Sequence, residues 1–390
     1  MSQQLISRSP DLKRLRDEGY DIEIRSAYLL MKDIPYVNSH KEIKRGTLVS
    51  ELTLAGDVTA TPGTHVVDFA GDHPCDTDGS EIARIKHQSA QKQLDKDLAV
   101  QHSFSSKPPG GYNDYYDKMA TYAAIISSPA HAIDPNVRAQ TFPVIEADEE
   151  ESVFNYFDTA SSRADINLAT RKLELRRIAI VGLGGTGSYV LDLVAKTPVR
   201  EIHLFDGDDF LQHNAFRSPG APSVDELRRA PKKVAHFKDL YSRMHRGIVD
   251  HPCYIDAANV EQLREMDFVF LCGGPKKLLV DNLEAFGIPF VDVGMGIFVT
   301  DDSLGGILRV TSSTPAQRDH VRANNRIPFS TGDGKNDYDR NIQIADLNAL
   351  NATLAVIKWK KIFGFYLDLE REHHTTYTID GNMLLNEDKP

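Results

Sequence analysis

Two hydrophobic rhythms divide the chain. From residue 177 onward, short apolar runs alternate with amphipathic stretches. Arg177-Ile-Ala-Ile-Val181 is nearly all apolar, as expected of a strand buried on both faces. Residues 186–196 then read as helix, 201–205 as strand, 233–244 as helix, 268–271 as strand, 278–286 as helix and 289–293 as strand. A segment of hairpin character at 306–310 and a helix over 346–363 follow. This alternation predicts an α/β fold with a doubly wound, mostly parallel, Rossmann-like sheet. Upstream the pattern is mixed. A helix is expected over 9–20, with Ser9 as its cap and Pro10 in its first turn. Strands are expected at 27–31, 47–54 and 64–69, the last ending in the turn-rich stretch 71–79. Residues 107–111 read as a loop. Over 112–127, Tyr115, Met119, Tyr122 and Ile126 recur at helical spacing. These elements predict a separate α+β domain.

The acidic run EADEEE at 146–151 repels itself and stays solvated. It divides the chain into an N-terminal accessory domain (1–145), an acidic linker (146–157) and a C-terminal domain (158–390). A length of 390 residues suits two or three domains at roughly 150 residues each. With 41% hydrophobic and 26% charged residues, the composition is that of a globular protein. The net charge of −11 argues against nucleic acid as a partner. The polar start lacks the apolar stretch of a signal peptide, and no window holds 18 apolar residues. No membrane partner is expected, and the cytoplasm is the default address. The three cysteines, Cys75, Cys253 and Cys272, exclude a disulfide scaffold and lack the CxxC spacing of a structural zinc site.

The densest chemistry lies at Gly182-Leu-Gly184-Gly185-Thr-Gly187, which follows a buried strand and opens a helix. Glycines there permit a tight turn and let backbone N–H groups approach a pyrophosphate or triphosphate. Asp206 ends the next strand, 19 residues after Gly187, where an acid can bond a ribose hydroxyl. These features imply a nucleotide site without separating a dinucleotide from ATP. Asn214, Arg217 and Lys233 follow Asp206 at +8, +11 and +27. A hydride-transfer enzyme needs few such cations, whereas cleavage of ATP between its α- and β-phosphates needs a cationic field around the phosphorus and the departing pyrophosphate. Lys232, next to Lys233, could take the same role.

Residues 158–363 resemble the ThiF-type adenylyltransferases, the superfamily of ubiquitin-activating enzymes and of the activators of sulfur-carrier proteins. The matching residues are the glycine loop at 182–187, Asp206-Gly-Asp208, Asn214, Arg217 and Lys233. The resemblance implies adenylation of the C-terminal carboxylate of a ubiquitin-like protein, with Mg2+ and ATP as cofactors. It places Asp206 on the ribose, Asn214 and Arg217 at the nucleotide and phosphates, and Lys233 at the phosphates. It also implies a homodimer in which Arg163 reaches the partner subunit's ATP. A non-catalytic nucleotide-binding scaffold of the same fold, or an NAD-dependent oxidoreductase, are the alternatives.

The chain departs from that family at two places. Where the family carries an aspartate for Mg-ATP, after the third core strand, this chain has Gly274; Asp208 or Asp292 would have to substitute. The stretch 294–341, where a ubiquitin-activating enzyme would carry a thioester cysteine, has none. Either the reaction stops at the adenylate, or an acyl group passes to Ser330, Thr331 or Cys272. In the N-terminal domain, His73-Pro74-Cys75 and Gly79 faintly resemble the His-Pro turn of ubiquitin-conjugating enzymes. Cys75 is a candidate displaced nucleophile with His73, His87 or His102 beside it, and the same residues are a candidate metal site. This domain is expected to bind a partner, such as the ubiquitin-like protein or a conjugating enzyme, within a bacterial conjugation pathway.

Overall fold

The structure, a computed structural model, describes residues 2–146, 152–164, 166–329 and 342–389. Its contacts divide the chain into two compact units, Met1–Ile145 and Glu146–Pro390. Ser330 and Thr331 lie outside the described residues.

The first unit is an antiparallel sheet backed by helices. Helix α1 (Pro10–Asp17) follows a short helix, Ser2–Arg8. Strands β1 (Ile22–Arg25), β2 (Tyr28–Val37), β3 (Ile43–Glu51), β4 (Val66–Ala70), β5 (Lys86–Asp95) and β6 (Leu98–Ser105) lie in the order β1-β2-β3-β4-β6-β5. Helix α2 (Tyr115–Ile133) is capped by the Asp114 carboxylate, which accepts from Asp117 N at 2.7 Å, and runs on through Pro129. Tyr115, Met119, Tyr122 and Ile126 join one buried core with Leu29, Leu48 and Phe69. The expected Ser9 cap is not made. Ser9 Oγ instead accepts from Thr59 N at 3.1 Å, and the Asp11 carboxylate accepts from Leu12 N and Tyr115 N. Strand β5 escapes the periodicity because its sequence, KHQSAQKQLD, is polar on both faces and largely exposed.

The second unit is the doubly wound sheet. Strands β7 (Arg177–Val181), β8 (Glu201–Phe205), β9 (Ile248–His251), β10 (Phe268–Leu271), β11 (Phe290–Thr300), β12 (Ser303–Ser313), β13 (His374–Thr378) and β14 (Met383–Glu387) form one sheet in the order β9-β8-β7-β10-β11-β12-β13-β14. The first five are parallel and the last three pair antiparallel. Alternate residues of β7 and β10 enter opposite cores. Ile178, Ile180, Phe268 and Phe270 pack toward helices α3 (Gly185–Val194) and α6 (Ala345–Ile362), while Ala179, Val181, Val269 and Leu271 pack toward helix α5 (Lys276–Phe286). Burial on both faces is the physical reason for the unbroken apolar runs. Residues 152–157, within the expected linker, are fastened to this unit: Arg246 N donates to Val153 O, Asn155 N donates to Met244 O, and Phe154 packs edge-on against His245.

The antiparallel extension is longer than the expected hairpin because glycines at 294, 296, 305 and 306 mask its alternation. It carries the buried imidazole of His374, with the half-buried His373 beside it. His374 Nδ1 pairs with Thr311 Oγ1 at 2.9 Å, and His373 Nδ1 with Ser312 Oγ at 2.9 Å. Burial, aided by His320 for His373 and by Arg326 for His374, holds both down to about 4. An unfolded histidine titrates near 6.5, so between about pH 6.5 and 4 the unfolded chain binds more protons. The stabilisation is therefore complete above this window and is lost as pH falls through it. For His374, 4% exposed, the loss between pH 7 and pH 5 is about 2 kcal/mol. The urea midpoint is expected to fall over this interval, and to fall less in His374→Gln; an equal fall in both would exclude the imidazole as the cause.

Candidate functional site

The strand order reverses between β8 and β10, on either side of β7, which opens a crevice at the carboxyl ends of these strands. The glycine loop lies there, between β7 and α3. Two of its glycines are required by backbone contact. Gly182 has φ +89°, and a Cβ on it would lie 2.8 Å from Gly273 N; a Cβ on Gly187 would lie 1.9 Å from Gly182 O. Gly185 is crowded by Asn348 of α6, whose Oδ1 accepts from Thr186 Oγ1 at 2.9 Å. Gly184 is different: a Cβ there meets nothing within 4 Å. The loop is therefore closed toward the protein and open at Gly184, beside the first turn of α3, where Gly185 N donates to Gln343 Oε1 at 3.4 Å.

Asp206, at the end of β8, is 5% exposed and fastens this loop. Its Oδ2 accepts from Leu183 N at 2.7 Å and its Oδ1 from Asp208 N at 2.9 Å. Lys233, the first residue of helix α4 (Lys233–Tyr241), is also buried; its Nζ lies 3.7 Å from Asp206 Oδ1 and 2.5 Å from Asp208 Oδ2. Burial raises the Asp208 carboxyl, but bonds from Lys233 and Tyr254 outweigh it and leave the group below its ordinary value. The Tyr254 hydroxyl is bonded to Asp208 Oδ1, which pushes it up to about 12. Lys232 points elsewhere, to Gly207 O and Asp209 Oδ1, each at 2.9 Å.

Asn214 is buried, and its side chain is taken up locally: Oδ1 accepts from Leu211 N at 2.9 Å. Arg217 is half-buried. Its carbonyl accepts from Asn348 Nδ2 at 3.3 Å, while its Nε is buried with no hydrogen-bond partner among the described residues. Burial lowers its guanidinium from the ordinary value, and Asp208 opposes that shift. A buried, unsatisfied cationic donor is costly unless an acceptor arrives. Arg163 ends the short helix Thr159–Arg163 and is exposed.

Of the two carboxylates named as substitutes at Gly274, Asp208 is exposed on the crevice side. Asp292 is 0% exposed. Its two oxygens are held by Lys276 and by Arg309 Nη2, the latter at 2.8 Å. Gly274 has φ +81°, with Leu279 Cδ1 3.0 Å from the position a Cβ would take. Spacing did not expose Tyr254, Asn348 or Lys276. None belongs to a motif; tertiary packing brings Asn348 to the glycine loop, Tyr254 to the Gly207–Asp208 turn and Lys276 to Asp292.

Cys75 is buried, Cys253 and Cys272 are half-buried, and all three thiols lie above their ordinary value. Burial pushes the Cys272 thiol up to about 12, and burial followed by Glu81, Asp76 and Asp78 raises Cys75. Cys75 Sγ donates to His73 O at 3.3 Å. His73 and His102 rings meet edge-on at 4.8 Å, whereas His102 and His87 bond to Ser89 and Ser103. No group of three or more His, Cys, Asp or Glu among the described residues could hold a metal ion.

Two measurements test this geometry. Gly187→Ala forces a methyl onto Gly182 O and is expected to destabilise by about 1–3 kcal/mol. Gly184→Ala should stay within about 0.5 kcal/mol of the parent. Equal thermal midpoints for the two variants would contradict the packing described. In alkylation with iodoacetamide at pH 8, peptide mapping should find Cys75 and Cys272 unmodified while the chain is folded and modified in urea. Modification of the folded chain at the denatured rate would refute their shielding.

Residues 10–159 match the model of a domain of unknown function, DUF6791. No curated protein matches the chain. Similar solved structures include E. coli MccB with ATP, at 16% identity and TM-score 0.43 over 58% of this chain and 67% of that one. MccB in complex with N-formylated MccA gives 17% and 0.45 over 59% and 68%, and PaaA gives 18% and 0.45 over 59% and 80%. Residues 159–274, which hold the glycine loop, Asp206, Asn214, Arg217 and Lys233, match the ThiF family model, and the second unit of this chain thus carries a ThiF family domain.

Proposed function

We propose that the chain adenylates the C-terminal carboxylate of a ubiquitin-like protein with ATP. The observation that carries this reading is two cations near the open glycine loop: the buried Lys233, between the Asp206 and Asp208 carboxylates, and the half-buried Arg217, whose Nε lacks a partner among the described residues. In this reading the loop and the first turn of α3 cradle the phosphates, and Asp206 meets the ribose. A carboxylate oxygen of the substrate attacks the α-phosphorus, the bond to the bridging oxygen breaks, and pyrophosphate leaves. The substrate carboxylate is already ionised, so no base is needed. Lys233 and Arg217 stabilise the charge that develops on the phosphoryl and leaving oxygens. Lys233 must exchange Asp208 for phosphate as the nucleotide enters. Magnesium would supply further charge neutralisation, and the exposed Asp208 is the better placed of the two carboxylates to receive it. Arg163 is assigned to the active site of a second copy in a homodimer. The first unit is assigned to binding the ubiquitin-like protein or a conjugating enzyme. With Cys272 half-buried and its thiol raised, the reaction is expected to end at the adenylate.

A second reading, a nucleotide-binding scaffold without turnover, is favoured by Gly274 in place of a carboxylate and by the 2.5 Å Lys233–Asp208 contact, which occupies the lysine. Isotope exchange between pyrophosphate and ATP separates the two. Exchange that requires a glycine-terminated ubiquitin-like protein, and that falls about 10²–10³-fold in Lys233→Ala, supports adenylation. ATP binding without exchange supports the scaffold, and selective binding of NAD would refute both.

A further inference from the structure

Resting on the nucleotide reading above, we propose that Tyr254 is the base-side positioning residue of the site, with its ring as a stacking platform for the purine and its hydroxyl fixing Asp208. Topology sets the location. Along the carboxyl ends of the strands, β7 carries the glycine loop for phosphates, and β8 carries Asp206 for the ribose. The adjacent strand is β9, which ends at His251. A nucleotide laid across these ends in that sequence brings its base to the loop that follows β9, and Tyr254 is on that loop.

The local structure aims the ring there. Ile255 is 2% exposed and plugs the core beneath, so the neighbouring side chain faces outward, and Tyr254 is 62% exposed. The loop backbone is held: Asn259 Nδ2 donates to Tyr254 O at 2.8 Å, and Asp256 N donates to Asn259 Oδ1 at 2.8 Å. The ring rests on Gly207, where a Cβ would come within 2.7–2.9 Å of its Cε2, Cδ2 and Cζ atoms. That contact explains why a glycine separates Asp206 from Asp208: any side chain would displace the ring. The hydroxyl is bonded to Asp208, whose other oxygen holds Lys233. A single exposed aromatic residue is ordinary on a protein surface. A ring seated on a glycine, tethered to the carboxylate beside the ribose acid and left open to solvent, is a built platform. Stacking depends on the π-face rather than on base edges. The site should therefore prefer purine over pyrimidine nucleotides through ring area, with weak discrimination between adenine and guanine from this residue.

Isothermal titration of AMP, CMP and inorganic tripolyphosphate into the full-length chain tests the assignment, with circular dichroism confirming the fold of each variant. Tyr254→Ala is expected to weaken AMP about ten- to a hundredfold and to reduce the AMP/CMP preference, with tripolyphosphate affinity unchanged. Tyr254→Phe and Tyr254→Trp, which keep a ring, should retain AMP affinity within about threefold. Unchanged AMP affinity in Tyr254→Ala would overturn the proposal. So would a parallel loss of tripolyphosphate affinity, which would mark an effect through Asp208 and Lys233 rather than stacking. Failure of the wild-type chain to bind either nucleotide would instead overturn the nucleotide reading, and this assignment with it.

Discussion

A buried carboxylate organises the second unit. Asp206 accepts from Leu183 N and from Asp208 N, so one side chain joins the glycine loop after β7 to the turn after β8. Removing a carboxylate of this kind from water is costly unless its lone pairs are filled, and here two backbone N–H groups and the nearby Lys233 ammonium fill them. Each other part of the site takes its position from this staple. The loop is held against β10 so closely that Gly182, Gly187 and Gly273 meet backbone to backbone. Asp208 is turned outward, where it holds Lys233 and Tyr254 at once.

The two cations near this staple differ in how they are satisfied. Lys233 is buried and satisfied by carboxylates, whereas Arg217 is half-buried with an unsatisfied Nε. The site therefore holds one cation engaged by carboxylates and one with an unsatisfied donor among the described residues. Without a carboxylate at Gly274, the charge balance at the carboxyl end of β10 rests on Lys276 and Arg309 around the buried Asp292, a net excess of one positive charge.

Much of the second unit was legible in the sequence because parallel strands buried on both faces are written as unbroken apolar runs. Arg177–Val181, Glu201–Phe205 and Phe268–Leu271 fall where their patterns place them. Strands β9, β13 and β14 were not legible, since they are short or edge strands with polar and apolar residues on both faces. In the first unit, β5 hides for the same reason. Ser9 had the right residue type for a cap, but Thr59 N claimed its hydroxyl, a long-range bond that no local pattern announces.

The sequence by itself determined the α/β alternation, the loop at 182–187 and the spaced set Asp206, Asn214, Arg217 and Lys233, because these depend on local periodicity and on residue type at fixed separation. Only the tertiary structure decided what each group faces. It turned Lys232 away and Lys233 inward, engaged both oxygens of Asp292 with cations, buried Cys75 and half-buried Cys272, and brought Asn348 to the glycine loop and Tyr254 to the Gly207–Asp208 turn from distant segments. The physical reason is that burial and hydrogen-bond partners are properties of packed neighbours, and neighbours separated by 46 or 162 residues, as Tyr254 is from Asp208 and Asn348 from Thr186, leave no trace in local spacing.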